Sequence, residues 1–339
     1  MSRVLITGGT GSLGSMLARR LIEDGCRPAV LIPPGAGLGG LTEYQGRFEV
    51  VTGDLTDPAS LSEAVRGITE VYHLAGEPIL LNRLGERMHR INVLGAQSMA
   101  VAAARAGVRR FVHTSSVSAV GYPPDGEVAD ESFEFGRTVT RNAYLVTKRA
   151  GEQAVLEVGR QTGMPVVVVN PAGVVAPYSH RRYGWAALVD SALRGRLTGW
   201  FPGGVALCSG ADLVRGQTAA MRVGRPGERY ILSSANLSYR ELFGLVCATL
   251  GQRPPRFGVP AALLRAAAVV CRVYAGMLRE PLRSPLLVPE NAALAVRTLY
   301  YDPARARREL GLTGDRAELA DSIRDTARWL TTGSAHARR

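Results

Sequence analysis

Cysteine is scarce in this chain: four residues in 339, Cys26, Cys208, Cys247 and Cys271, lie far apart without a CxxC pair or a Cys/His cluster. A structural zinc site is excluded by that spacing, no metal is expected, and the thiols read as reduced and mostly buried. Long apolar runs are lacking as well. The one extended candidate, 259–278, is interrupted by Arg265 and Arg272, so it reads as an amphipathic helix on the core or substrate side and no membrane span is expected. No leader-like segment stands before the first apolar run, which makes the cytoplasm the expected location. Acidic residues are outnumbered, 29 against 41 Lys and Arg, for a formal charge of +12. The basic residues are nonetheless scattered, with no helix-turn-helix, zinc-finger or RNA-binding signature beside them. Nucleic acid is therefore not an expected partner, and the excess reads as a solvated surface whose field favours an anionic small molecule.

What is present is organised around Val4-Leu5-Ile6-Thr7-Gly8-Gly9-Thr10-Gly11-Ser12-Leu13-Gly14, which runs straight into a helical stretch at 15–23. An apolar strand that ends in spaced glycines and opens into a helix is the arrangement that binds a pyrophosphate. Gly8 lets the chain leave the strand, Gly11 lets backbone approach the phosphates, and Gly14 lets helix and strand pack closely. Ser12 and Leu13 would offer backbone N–H groups to the anion. A glycine turn can also be only a turn, so the reading depends on its partners downstream.

Further apolar runs follow at 28–32, 48–52, 71–74, 110–115 and 165–170. Helical segments alternate with them at 59–66, 91–106 and 142–159. Continuous apolar strands alternating with helices predict an α/β fold, a doubly wound parallel sheet covered on both faces. The expected dinucleotide-binding part is 1–175, with a late strand at 229–234 returning to its sheet. The expected substrate region, smaller and mainly helical, is 176–228 and 235–331, and 332–339 is expected to be a disordered tail. Ser238-Tyr239-Arg240-Glu241 has the pattern of a capping box.

Tyr144 and Lys148 stand four apart in the segment before the Val-rich run, hence on one face of a helix. An ammonium there can lower a phenol's pKa and hydrogen-bond a ribose, while the phenol exchanges a proton with a substrate oxygen. Thr114-Ser115-Ser116 ends another strand, and hydroxyls at the carboxyl end of an open sheet face its ligand crevice.

TGxxGxxG, a strand-end serine and YxxxK in this order resemble the extended short-chain dehydrogenase/reductase superfamily, closest to its dihydroflavonol reductase and 3β-hydroxysteroid dehydrogenase branch. The resemblance implies a Rossmann-type domain and three catalytic residues: Tyr144 as acid/base, Lys148 as its pKa partner and ribose ligand, and Ser116, with Ser115 as a fallback, as donor to the substrate oxygen. For the cofactor it implies Gly8, Gly11, Ser12, Leu13 and Gly14 at the phosphates, and Asp54 and Leu55 at adenine. Ala75 and Gly76 would lie beside the ribose, and Pro171 and Gly173 beside the nicotinamide. The Tyr301-Asp302-Pro303 stretch through Leu310-Gly311 resembles the family's structural C-terminal motif.

Two departures narrow the activity. Sugar-nucleotide dehydratases carry Thr-Asp-Glu where this chain has Val117-Ser118-Ala119, and the Arg and Asn of many epimerases are not matched around Asn170-Pro171. A ketoreductase or alcohol dehydrogenase acting on a small molecule is expected, with an epimerase that retains tightly bound NAD as the alternative and a non-catalytic nucleotide-binding regulator behind both. A homodimer is compatible with the family. The second strand ends Ile32-Pro33-Pro34 without the acid that would hold a 2′-hydroxyl, so NADP is expected over NAD. Arg27 and Arg47 flank the neighbouring strands. The segment 178–200, with its Arg, Tyr and Trp residues, suggests a pocket for a polar ring or aromatic compound.

Overall fold

The computed structural model describes residues 2–78, 84–178, 184–278 and 289–332. Its main sheet is built from β1 (Val4–Thr7), β2 (Ala29–Ile32), β3 (Glu49–Thr52), β4 (Glu70–His73) and β5 (Arg110–Thr114), joined by β7 (Val166–Pro171) and β11 (Arg229–Leu232). The order across it is β11-β7-β5-β4-β1-β2-β3, and every pairing is parallel. Most of these strands are buried on both faces, which is why they read as unbroken apolar runs. The edge strand β3 is largely exposed. Helices Ser12–Glu23, Pro58–Ala64, Ala96–Arg105, Ala143–Thr162 and Gly210–Val223 cover the two faces.

The chain leaves β1 toward β2 and β3, then returns to place β4 on the other side of β1. The strand order therefore reverses between β1 and β4, and a crevice opens there beyond the carboxyl ends of the strands. Two close approaches shape it. A Cβ on Gly8, whose φ is +70°, would lie 2.6 Å from the Ala75 amide nitrogen. A Cβ on Gly151 would lie 2.0 Å from the Asn92 carbonyl oxygen, so the long helix Ala143–Thr162 seats directly on the segment around Asn92.

That segment departs from the single helix expected at 91–106. It begins as Gly85–Met88, widens into π-helical turns over His89–Gly95 and becomes α-helical again over Ala96–Arg105. The helix at the first glycine loop also starts earlier than expected, at Ser12 with Gly11 as its N-cap.

Alongside its helices the remaining region carries a second sheet, of order β12-β10-β14-β6 with β8 on β10. Its strands are β6 (Val128–Ala129), β8 (Gly173–Val174), β10 (Gly204–Cys208), β12 (Ala235–Ser238) and β14 (Thr298–Tyr301). Two more short strands, β9 (Gly199–Trp200) and β13 (Phe257–Gly258), pair with each other. Ser238 and Glu241 form the capping box read from the sequence. Tyr301 at the end of β14 donates to the Gly121 carbonyl at 2.6 Å, and Glu309 on the following helix accepts from Tyr230 and Arg225, so the C-terminal motif fastens the two sheets together. The tail at 333–339 lies outside the described residues, as do positions 179–183 of the 178–200 segment.

Candidate active site

The first helix presents its amino end to the crevice. Gly11 is extended (φ −78°, ψ 173°) and gives no side-chain cap, and Ser15 is the first residue whose N–H is bonded back, to the Gly11 carbonyl at 2.9 Å. The N–H groups of Ser12, Leu13 and Gly14 therefore have no acceptor within the helix, and its positive end lies among them. A Cβ on Gly14 would lie 2.2 Å from the Gly8 carbonyl oxygen, whereas one on Gly11 would meet only that same oxygen, at 3.3 Å, with open space beyond. Open space in front of unpaired backbone donors, with no acidic residue in the first turn, fits a dinucleotide pyrophosphate. Ser12 contributes through its backbone, because its hydroxyl is bonded to the Pro177 carbonyl.

The reactive side chains stand on the far side of β4. Asn142 caps the helix Ala143–Thr162, its Oδ1 accepting from the Leu145 N–H at 2.8 Å, and this places Tyr144 in the first turn and Lys148 one turn on. Ser116 caps the short helix Val117–Val120 after β5. Its hydroxyl lies beside the Tyr144 phenol and opposes the rise that burial imposes, leaving the phenol at about 12. Ser115 is buried with its hydroxyl unpaired among the described residues, and of the two serines it is Ser116 that acts on the phenol.

Lys148 is buried and donates to the Thr114 carbonyl at 2.9 Å. Burial pulls its ammonium down to about 8 against the raising influence of Glu152. The sequence pointed to this lysine as the group that lowers the phenol's pKa. Instead the phenol responds to its burial, to Ser116 and to Tyr122, while the lysine's charge falls on His73 and His113. Those imidazoles stack at 5.4 Å, and burial, reinforced by Lys148, holds His73 down at about 3, so it stays neutral and is no acid/base group.

The unfolded chain keeps the Lys148 proton up to about pH 10.4, the folded protein only to about 8. Between these values the unfolded state holds more protons, so stability rises with pH. Lys148→Met is expected to remove that contribution and to stabilise the cofactor-free protein at pH 7 by on the order of 2 kcal/mol. Thermal unfolding of wild type and variant from pH 7 to 10.5 checks this; parallel curves with no gain at pH 7 would contradict it.

Gly76 stands between the two halves: a Cβ there would lie 3.1 Å from Asn92 Oδ1 and 3.9 Å from Lys148 Nζ. Asn92 accepts from the Glu77 N–H at 2.7 Å and donates to the Glu77 carbonyl and to Thr147 Oγ1. It is the site residue that sequence reasoning missed, and its one signal was an amide set between the apolar Ile91 and Val93. Gly8, Gly11, Gly14, Ala75, Gly76, Ser116, Tyr144 and Lys148 thus line neighbouring strand ends. Asp54 and Leu55 lie farther along, after β3. Thr56 donates twice to the Asp54 carboxylate and holds it below the usual range, and Leu55 packs on Gly95. Pro171 ends β7, and Gly173 lies so close to the Trp185 ring that a Cβ would come within 2.5 Å of it. Pro33 and Pro34 are exposed at the carboxyl end of β2. Arg27 and Arg47 precede β2 and β3, at the opposite ends of those strands, and Arg47 lies over the Tyr44 ring.

A parallel sheet with a glycine loop at its switch point and a serine, tyrosine and lysine at the adjoining strand ends defines a nucleotide-dependent oxidoreductase. The chain belongs to the NAD dependent epimerase/dehydratase family, whose profile matches residues 4–232, and is an oxidoreductase of the extended short-chain dehydrogenase/reductase type. It is 30% identical over 330 residues to a putative dihydroflavonol 4-reductase of Synechocystis sp., covering 96% of this chain and 93% of that one. To sterol demethylase protein B of Methylococcus capsulatus it is 31% identical over 329 residues, 94% of this chain and 96% of that one. The dTDP-glucose 4,6-dehydratase DesIV of Streptomyces venezuelae, solved with NAD bound, shares the fold with a TM-score of 0.75 over 98% of both chains at 22% identity. NAD(P)-dependent oxidoreduction is the activity these relationships support.

Proposed function

We propose that this protein is an NADP(H)-preferring ketoreductase or alcohol dehydrogenase for a small-molecule carbonyl or secondary alcohol. The observation that carries this reading is the Tyr144 phenol beside Ser116, with Lys148 one turn along the same helix. The N–H groups of Ser12, Leu13 and Gly14 would hold the pyrophosphate, Asp54 and Leu55 the adenine end, Ala75, Gly76 and Lys148 the riboses, and Pro171 and Gly173 the nicotinamide side. The bound nicotinamide supplies or accepts the hydride. Tyr144 gives its proton to the carbonyl oxygen as that oxygen gains charge, and Ser116 donates a second hydrogen bond to the same atom. A phenol near 12 is protonated at neutral pH, the state that reduction requires. Val117, Ser118 and Ala119 stand where a dehydratase would need an acid and a base, which favours simple reduction over elimination. The names of the relatives, a flavonoid reductase and a sterol-processing protein, support a ring-bearing substrate of low polarity.

Turnover of ketone panels with each cofactor tests the proposal, with NADPH expected to give the higher kcat/KM. Pro33→Asp places a ribose acceptor at the end of β2 and repels a 2′-phosphate, so it is expected to move the ratio toward NADH by about tenfold at fixed ionic strength. A wild type that prefers NADH, or a ratio the variant leaves unchanged, would place the discriminating contact elsewhere.

A further inference from the structure

Over the described side chains of the helix Ala261–Leu278, 261–267 and 269–270, apolar residues face outward. Among its described side chains Leu264 alone is buried, packed with Ala292 and Ala295. At 3.6 residues per turn, Ala262, Leu263, Arg265, Ala266, Val269 and Val270 fall on the opposite arc, roughly 160° wide, and all six are exposed. Leu263 is 61% exposed, Val269 50% and Val270 66%, and Phe257 on β13 is 57% exposed just before the helix. A core or substrate-side helix, as its sequence suggested, would turn these residues inward.

Between Glu241 and Glu280 the charge along the chain has one sign. From 242 to 279 the chain has no Asp or Glu and five arginines, Arg253, Arg256, Arg265, Arg272 and Arg279. Arg253, Arg256 and Arg265 are exposed. At the chain's average acidic content, 29 in 339 residues, about three acids would fall in a stretch of that length. Exposed apolar side chains flanked by arginines with no acid among them match a surface that is anionic at its face and apolar beneath. A second copy of the chain would bring the same positive charge to the contact, which disfavours self-association through this face. Among the described residues no helix is long and apolar enough to cross a membrane, so the helix would lie along the surface.

We propose that the helix Ala261–Leu278, with Phe257 and Arg253 and Arg256 beside it, docks the protein reversibly on an anionic lipid surface. The proposal is independent of the assigned activity. The test is co-sedimentation of the full chain with phosphatidylcholine vesicles and with vesicles containing half phosphatidylglycerol, at 0.1 and 0.5 M NaCl. Binding is expected on the anionic vesicles and about tenfold weaker on neutral ones or at high salt. Leu263→Glu combined with Val270→Glu is expected to weaken it about tenfold or more, and Arg253→Glu with Arg256→Glu to remove the preference for anionic lipid. These side chains are exposed, so an unchanged thermal midpoint identifies each variant as folded. A wild type that stays in the supernatant with anionic vesicles would overturn the proposal, as would a folded Leu263→Glu, Val270→Glu variant that sediments like wild type. A concentration-dependent dimer dissolved by those same substitutions would assign the face to a second copy and overturn it equally.

Discussion

Tyr144→Phe is expected to lower kcat for ketone reduction by about 10²–10⁴-fold while leaving thermal stability and cofactor affinity close to wild type. Only a hydroxyl is removed. The ring stays in the first turn of the helix Ala143–Thr162, whose cap at Asn142 and whose seat at Gly151 do not involve the phenol oxygen. The loss should fall on kcat more than on KM, because the proton is transferred only as the carbonyl oxygen gains charge. Direction matters as well. With the phenol held near 12 and protonated, reduction should vary little between pH 6 and 9, whereas alcohol oxidation needs the deprotonated phenol and should accelerate with rising pH. Ser116→Ala should retain part of the activity, since it removes the neighbour and not the proton donor. Steady-state rates in both directions across that pH range check the assignment, and an undiminished kcat in Tyr144→Phe would assign the proton to another group.

The parts of this molecule that were readable in its sequence are those where one local rule acts without competition. Buried parallel strands must be apolar on both faces, so β1, β2 and β7 stood out as uninterrupted runs, and the spacing of Tyr144 and Lys148 placed them one turn apart. The π-helical turns at His89–Gly95 were not readable. They coincide with long-range contacts: Gly151 admits the Asn92 carbonyl, and Gly95 admits Leu55, both made by segments far apart in the chain. The second sheet was hidden for a similar reason. Val128–Ala129 and Gly173–Val174 are two-residue strands, too short to show alternation, and they acquire their conformation from partners at Tyr300–Tyr301 and Leu207–Cys208. The positions of Arg27 and Arg47 needed the strand direction, which puts both at the end of the sheet away from the crevice.

Gly11→Val is expected to abolish dinucleotide binding in a protein that still folds, a reduction of at least about 100-fold, or ~2.7 kcal/mol. Gly11 and Gly14 separate cofactor binding from folding. At Gly14 a Cβ would lie 2.2 Å from the Gly8 carbonyl oxygen, so even alanine there must displace β1 from its helix and should lower the thermal midpoint. At Gly11 the backbone is extended with a negative φ that valine adopts readily, and a Cβ meets only the Gly8 oxygen, at 3.3 Å. The branched methyls would then occupy the open space in front of the Ser12, Leu13 and Gly14 N–H groups, where the phosphates must come within hydrogen-bonding distance. Unfolding by circular dichroism and titration of NADPH fluorescence distinguish the outcomes. A Gly11→Val protein with a near-native midpoint and no NADPH binding is the expected result, and one that binds NADPH with wild-type affinity would move the pyrophosphate site away from this loop.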